Sequence, residues 1–163
     1  MASAAESAGE GATKKVLFVC RANICRSPMA EAIFNALISD TGMPYEARSA
    51  GVAALVDEPT APYAVAVLEE AGIYTNGHHA RQVNETMLEE ADLVLAMTPR
   101  HVAKLSRLST TSLAKIHTLP GYANGAPDWE GVPDPYGHSM STYRASLRQI
   151  SEYVDLLVTR LKN

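Results

Sequence analysis

The sequence predicts an α/β fold, a single domain built on a four-stranded parallel sheet with helices on both faces. Three observations carry that expectation. Val16-Leu17-Phe18-Val19 and Asp92-Leu93-Val94-Leu95-Ala96-Met97 are short apolar runs of the kind that fill strands buried on both sides. Between and after them lie segments whose apolar residues recur at helical spacing. Strands that alternate with helices pair in parallel, because a crossover helix carries the chain back to the end of the sheet where the previous strand began.

Taken in order, Lys14-Lys15 precede the first strand, Val16 to Val19, and the loop Cys20 to Ser27 follows it. Ser27-Pro28 opens a helix, since proline suits a first helical position. Met29, Ile33, Phe34, Leu37 and Ile38 form its apolar stripe, and Gly42 closes it. A second strand is expected over Tyr45 to Ser49, a helix from Pro62 to Ala71 stopped at Gly72, and a short helix from Thr86 to Ala91. The buried run from Asp92 to Met97 is the third strand, followed by a helix from Pro99 to Ser106 and a last strand from Ala114 to Leu119. Gly121 to Gly137, rich in Gly, Pro and Asp, reads as a long loop, and loops of that length in compact domains usually serve function. Tyr143, Leu147, Ile150, Val154, Leu157 and Leu161 step by four and three, which predicts a final long helix.

The chain has 163 residues, enough for one core, and its net charge of −4 comes without a basic block, which argues against a nucleic-acid partner. No stretch approaches the roughly 20 apolar residues of a membrane span. Residues 1–13 lack the basic start and apolar centre of a secretory signal and read as a disordered tail, leaving 14–163 as the folded domain. A cytoplasmic location is therefore expected, where a structural disulfide is not. Cys20 and Cys25 are the two cysteines, too few for a four-ligand zinc site, and no metal or cofactor is expected.

Chemistry concentrates in Cys20-Arg21-Ala22-Asn23-Ile24-Cys25-Arg26-Ser27, which joins a buried strand to a helix N-terminus. Ligands of parallel sheets bind beyond the carboxyl ends of the strands. Backbone N–H groups of such a turn, with the helix dipole behind them, make an anion cradle. A thiol at a helix N-terminus beside a guanidinium ionises far more readily than a free one. Arg26 can hold two phosphate oxygens at once, which lysine could not reproduce. Ser27 can donate its hydroxyl to the sulfur and ease its departure from phosphorus. The plainer alternative makes Cys20 a small buried hydrophobe, as free cysteines often are.

The string Val19-Cys20-x-x-Asn23-Ile24-Cys25-Arg26-Ser27-Pro28-Met29-Ala30-Glu31 resembles the signature of the low-molecular-weight protein tyrosine phosphatase family. Four further pieces extend the likeness in order: Ser49-Ala50-Gly51, His78-x-Ala80-Arg81-Gln82, Ala91 to Met97, and Asp134-Pro135-Tyr136-Gly137. The resemblance implies a strand–phosphate-loop–helix active site in which Cys20 attacks phosphorus. Arg26 and the loop amides then stabilise the equatorial oxygens. It further implies Asp134 as general acid and then base, with Asn23 and Ser27 bracing the loop together with His78. Tyr136 becomes an aromatic wall at the entrance. Arg21, Ala22, Asn23, Ile24, Cys25 and Ser27 line the loop against the substrate. The expected partners are a phosphorylated protein and, in the loop, inorganic phosphate or other oxyanions.

Some departures bear on substrate. The family usually has glycine where Ala22 stands, so Ala22 would be strained if that position took a positive φ. Arg21 adds charge at the mouth, and Val52-Ala53-Ala54-Leu55-Val56-Asp57 lacks the aromatic that many tyrosine-specific members carry. That segment resembles the bacterial branch that includes protein arginine phosphatases, which carries threonine where Ile24 stands. Ile24 has no hydroxyl and suits an aryl phosphate, which tips the expectation toward phosphotyrosine, with phosphoarginine as the alternative. An arsenate reductase would need a further cysteine to relay oxidation, and a mere phosphopeptide-binding module would need neither a nucleophile nor an acid. Cys25 is either a core residue or a partner that traps an oxidised Cys20 as a reversible disulfide.

Overall fold

The computed structural model describes residues 12–75, 77–127 and 130–163, so most of the expected tail and part of the Gly121–Gly137 loop lie outside the described residues. Four strands, β1 (Lys14–Cys20), β2 (Tyr45–Gly51), β3 (Leu93–Ala96) and β4 (Ile116–Thr118), form one sheet in the order β2-β1-β3-β4. All the pairings are parallel, with Cys20 opposite Gly51 and Val19 opposite Ala96. The helices are α1 (Arg26–Ser39), α2 (Pro62–Glu70), α3 (Glu85–Glu90), α4 (Pro99–Leu108), α5 (Leu119–Asn124) and α6 (Met140–Lys162).

Strand side chains alternate across the sheet and so divide the core in two. Val16 and Phe18 of β1, with Leu93 and Leu95 of β3, pack among α1, α2 and α6, where Phe34, Ile150, Val154 and Leu157 are fully buried. Leu17, Val19, Val94 and Ala96 face the other way, onto Leu88 of α3 and Leu105 of α4. The continuous apolar runs are therefore the sequence image of a sheet covered twice. Because β2 and β3 flank β1 on opposite sides, its carboxyl end is the topological switch point, and Cys20 is its last residue.

Two expectations need correction. The last strand is only Ile116–Thr118, since the residues before it, Thr110–Lys115, wind into a 3-10 turn. The expected loop begins as helix α5, because the Thr118 hydroxyl caps it by accepting from Gly121 N and Pro120 sits in its first turn. Gly125 then ends it at φ +67°, a left-handed conformation that glycine adopts at little cost. Among the described residues no helix is long and apolar enough to cross a membrane.

Candidate active site

The loop after β1 is fixed by its carbonyl groups. Cys20, Arg21 and Ala22 oxygens accept from Val52, Ala53 and Leu55 amides, Ile24 O accepts from Ala61 N, and Cys25 O from Met29 N. Each carbonyl is thus drawn outward. Among the described residues, the amides of residues 22–27 have no protein acceptor, so they are free to converge on an anion. Helix α1 adds its own N-terminus to this cradle. Its cap residue Cys25 makes no side-chain capping bond, and its first turn carries no acidic residue. By contrast, Asn84, Thr98, Thr118 and Ser139 cap α3, α4, α5 and α6 with their own side chains.

Asn23 holds the loop in shape. Its φ of +62° is left-handed, a conformation that Asn tolerates better than most side chains. Ala22 does not take a positive φ, so the condition under which its Cβ would be strained is not met. Asn23 Nδ2 donates to Ser27 Oγ at 2.8 Å and Ser49 Oγ at 3.0 Å, and its Oδ1 accepts from Arg81 N at 3.0 Å. His78 Nε2 lies 2.8 Å from the Asn23 carbonyl, which can only accept, so that nitrogen carries the proton. Ser49 in turn donates to Glu31 Oε1, and Arg81 Nε donates to Ser49 O at 3.1 Å.

Cys20 Sγ lies 2.9 Å from Ser27 Oγ. Asn23 donates to that oxygen, so the Ser27 hydroxyl proton can go to the sulfur or, at 3.5 Å, to the Ala50 carbonyl. Arg26 is buried, with Nη1 donating to Val132 O at 2.9 Å and Nη2 lying 3.5 Å from Asp134 Oδ2. Among the described residues its buried Nε has no hydrogen-bond partner. Asp134 is half exposed, and its Oδ1 accepts from Tyr136 N at 3.1 Å. Ala53, Leu55 and Tyr136 join Arg21, Ala22 and Ile24 around a cavity of about 150 Å³ that opens onto Cys20, Arg26 and Asp134. Leu55 and Tyr136 stand exposed at its mouth, whereas Ile24 is buried in its wall.

Three neighbouring groups are held neutral. Burial, outweighing the hydrogen bond shared with the Tyr143 hydroxyl 3.3 Å away, pushes the Cys25 thiol up to about 11. Burial likewise pushes the Tyr143 phenol well above its usual range. On α4, burial and then the Arg26 charge bring the His101 imidazole down to about 4.

The structure therefore gathers Cys20, Arg21, Ala22, Ile24, Cys25, Arg26, Asp134 and Tyr136 at one cavity, with Asn23, Ser27 and His78 behind the loop. Reasoning from sequence assigned no part to Ser49, Gly51, Arg81, Glu31 or His101. All but His101 stand in strings already noted as matching, and that was the available signal. Gly51 is required by contact: a Cβ there would lie 2.5 Å from the Arg21 carbonyl oxygen.

A doubly covered parallel sheet with a thiol in an anion cradle at its switch point is the architecture of a cysteine-dependent phosphatase. Comparison with known proteins agrees. The family model for low molecular weight phosphotyrosine protein phosphatase matches residues 15–163. A protein-arginine-phosphatase of Bacillus subtilis is 37% identical over 147 residues, covering 90% of this chain and 96% of the relative. A low molecular weight protein-tyrosine-phosphatase of Streptomyces coelicolor is 42% identical over 133 residues, covering 76% and 79%. The crystal structure of a low molecular weight protein tyrosine phosphatase from T. tengcongensis superposes with a TM-score of 0.85 at 40% identity, covering 91% of this chain and 99% of that one. The chain belongs to the low molecular weight phosphotyrosine protein phosphatase family.

Proposed function

We propose that this protein hydrolyses phosphotyrosine in phosphorylated proteins through a phosphocysteine on Cys20. The thiolate attacks phosphorus, the bond from phosphorus to the phenolic oxygen breaks, and Asp134 gives that oxygen a proton. Arg26 and the loop amides hold the equatorial oxygens while charge develops. In the second half Asp134 takes a proton from water, the water oxygen bonds to phosphorus, and the sulfur leaves as a thiolate stabilised by Ser27. Inorganic phosphate is the product, and other tetrahedral oxyanions would occupy the same cradle. A nucleophilic thiol needs a reducing compartment, which fits a cytoplasmic site of action.

The observation that carries the substrate reading is the apolar wall beside the thiol: buried Ile24, with Leu55 and Tyr136 at the rim. An aryl ring gains from such a wall, while a guanidino group would leave polar nitrogens facing it unpaired. A second reading, phosphoarginine hydrolysis by the same mechanism, is favoured by the likeness to the protein-arginine-phosphatase of Bacillus subtilis. The test is kcat/KM on a phosphotyrosine peptide and a phosphoarginine peptide, with Cys20→Ser as the blank. Preference for phosphotyrosine supports the first reading, preference for phosphoarginine the second. Binding of both without turnover would leave a phosphopeptide-binding module.

A further inference from the structure

The cavity over Cys20 has room for little more than the phosphorylated side chain. Its volume of about 150 Å³ falls well below the roughly 300–1,000 Å³ of pockets that enclose a drug-sized ligand. An aryl phosphate entering it leaves the neighbouring residues of the peptide on the rim, so the chemistry of the rim decides which peptides are favoured. Arg21 stands on that rim. It lines the cavity, it is exposed, and no carboxylate among the described residues lies within ion-pair distance of its guanidinium. We propose that Arg21 is a specificity-determining residue that pairs with an acidic residue of the substrate. The favoured substrates are then phosphotyrosine segments with an aspartate or glutamate beside the phosphorylated residue.

The proposal rests on the reading of the protein as a phosphotyrosine phosphatase and adds a preference among its substrates. The backbone of Arg21 is held firmly. Its carbonyl oxygen accepts from Ala53 N at 2.8 Å and closes against Gly51, where a Cβ would lie 2.5 Å from it. The side chain is therefore carried from a fixed base at the start of the phosphate loop. A guanidinium is always charged, and its planar fork matches a carboxylate in two parallel hydrogen bonds. The charge also stands against that of the whole chain, which is −4. An acidic peptide is repelled by the molecule in general and drawn in at this point.

The rim is not uniform. Residues 52–55 are bonded to the start of the loop at Cys20, Arg21 and Ala22, whereas Val132 and Asp134 meet Arg26 at its end. Leu55 and Tyr136, one from each segment, supply exposed apolar surface, and Asp134 adds a half-exposed carboxyl group to the second. Among the described residues that line the cavity, Arg21 is the exposed cation, since Arg26 is buried. An acidic neighbour thus finds its partner at the start of the loop, and the preference applies to one side of the phosphotyrosine and not to the other.

The experiment compares kcat/KM for phosphotyrosine peptides that differ only in carrying Asp or its uncharged isostere Asn immediately before or after the phosphorylated residue. Wild type should favour Asp over Asn on one side by about 2- to 5-fold, the size of one exposed ion pair. That ratio should fall to about 1 in Arg21→Gln, drop below 1 in Arg21→Glu and be largely kept in Arg21→Lys. It should also shrink in about 1 M salt, where the screening length is about 3 Å. Both peptides of a pair carry the same phosphate, so any general effect of these substitutions on the loop cancels from the ratio. A wild-type ratio near 1 on both sides, or a preference that Arg21→Gln leaves unchanged, overturns the assignment of Arg21 and leaves the phosphatase reading in place. Turnover of none of the peptides would overturn the phosphotyrosine reading itself, and with it the inference.

Discussion

Asn23 shows how one side chain can carry a site without touching the reaction. Its left-handed backbone costs of order 1 kcal/mol in a non-glycine residue, and four hydrogen bonds, to Ser27, Ser49, Arg81 and His78, offset that cost. Asn23→Ala removes the side-chain bonds and keeps the strain; Asn23→Gly removes both. Loops displaced by about 1 Å lose roughly 100-fold in rate, so kcat/KM should fall on that order in Asn23→Ala. Asn23→Gly should recover part of the stability but little of the activity, as urea unfolding and steady-state kinetics would reveal. Equal activity in the two variants and wild type would mean the bracing is dispensable. For Asp134, the expected signature of an acid is selective. Asp134→Asn should slow aryl phosphates with poor leaving groups far more than activated ones, since good leaving groups need little protonation. A Brønsted plot of kcat against leaving-group acidity that stays parallel to wild type would remove Asp134 from that role.

At the scale of elements, α1 and α6 divide the labour. Helix α1 leaves its N-terminus uncapped and so lends the dipole to the cradle, at some expense to its own stability. Helix α6 repays this with packing: Ile150, Val154 and Leu157 are fully buried against α1 and the sheet, and Ser139 caps it through Thr142 N. Truncation of such a side chain leaves a cavity as well as losing its transfer energy. Leu157→Ala should therefore cost about 2–5 kcal/mol by urea unfolding, with kcat/KM of the remaining folded enzyme within about 3-fold of wild type. A large loss of kcat at full stability would instead tie α6 to the chemistry, through the Tyr143–Cys25 contact.

Over the whole molecule, buried ionisable groups set the pH range in which the fold is stable. His101 titrates near 4 in the folded protein against an ordinary value of 6.5. The unfolded chain therefore binds the extra proton first, and stability, full above about 6.5, is lost as pH falls toward 4. Cys25 behaves in the opposite sense: its thiol goes from 9.0 up to about 11 on folding, so its contribution is full below 9.0 and lost as pH rises toward 11. Tyr143, also raised by burial, steepens that alkaline limb. The unfolding midpoint should thus be flat between these limits and fall on both sides. His101→Phe should flatten the acid limb and Cys25→Ala the alkaline limb, whatever each does to stability at neutral pH. An unchanged acid slope in His101→Phe would assign that limb to the carboxylates.

Local and periodic features were legible in the sequence. The two apolar runs determined a doubly covered parallel sheet, the three-four spacing determined α1 and α6, and the cysteine-to-arginine segment marked the loop between β1 and α1. Such features depend on residues close in the chain, whose geometry follows from backbone periodicity and the chemistry of each side chain. The fold alone could decide what depends on distant residues meeting. Ser49 and Arg81 reach Asn23 across 26 and 58 positions, Val132 reaches Arg26 across 106, and Tyr143 reaches Cys25 across 118. The left-handed φ at Asn23 is of the same kind, since partners brought from other elements hold it there. The pairing of Arg26 with Asp134 belongs to the same class, since only packing brings a buried guanidinium from α1 against a carboxylate from the loop before α6.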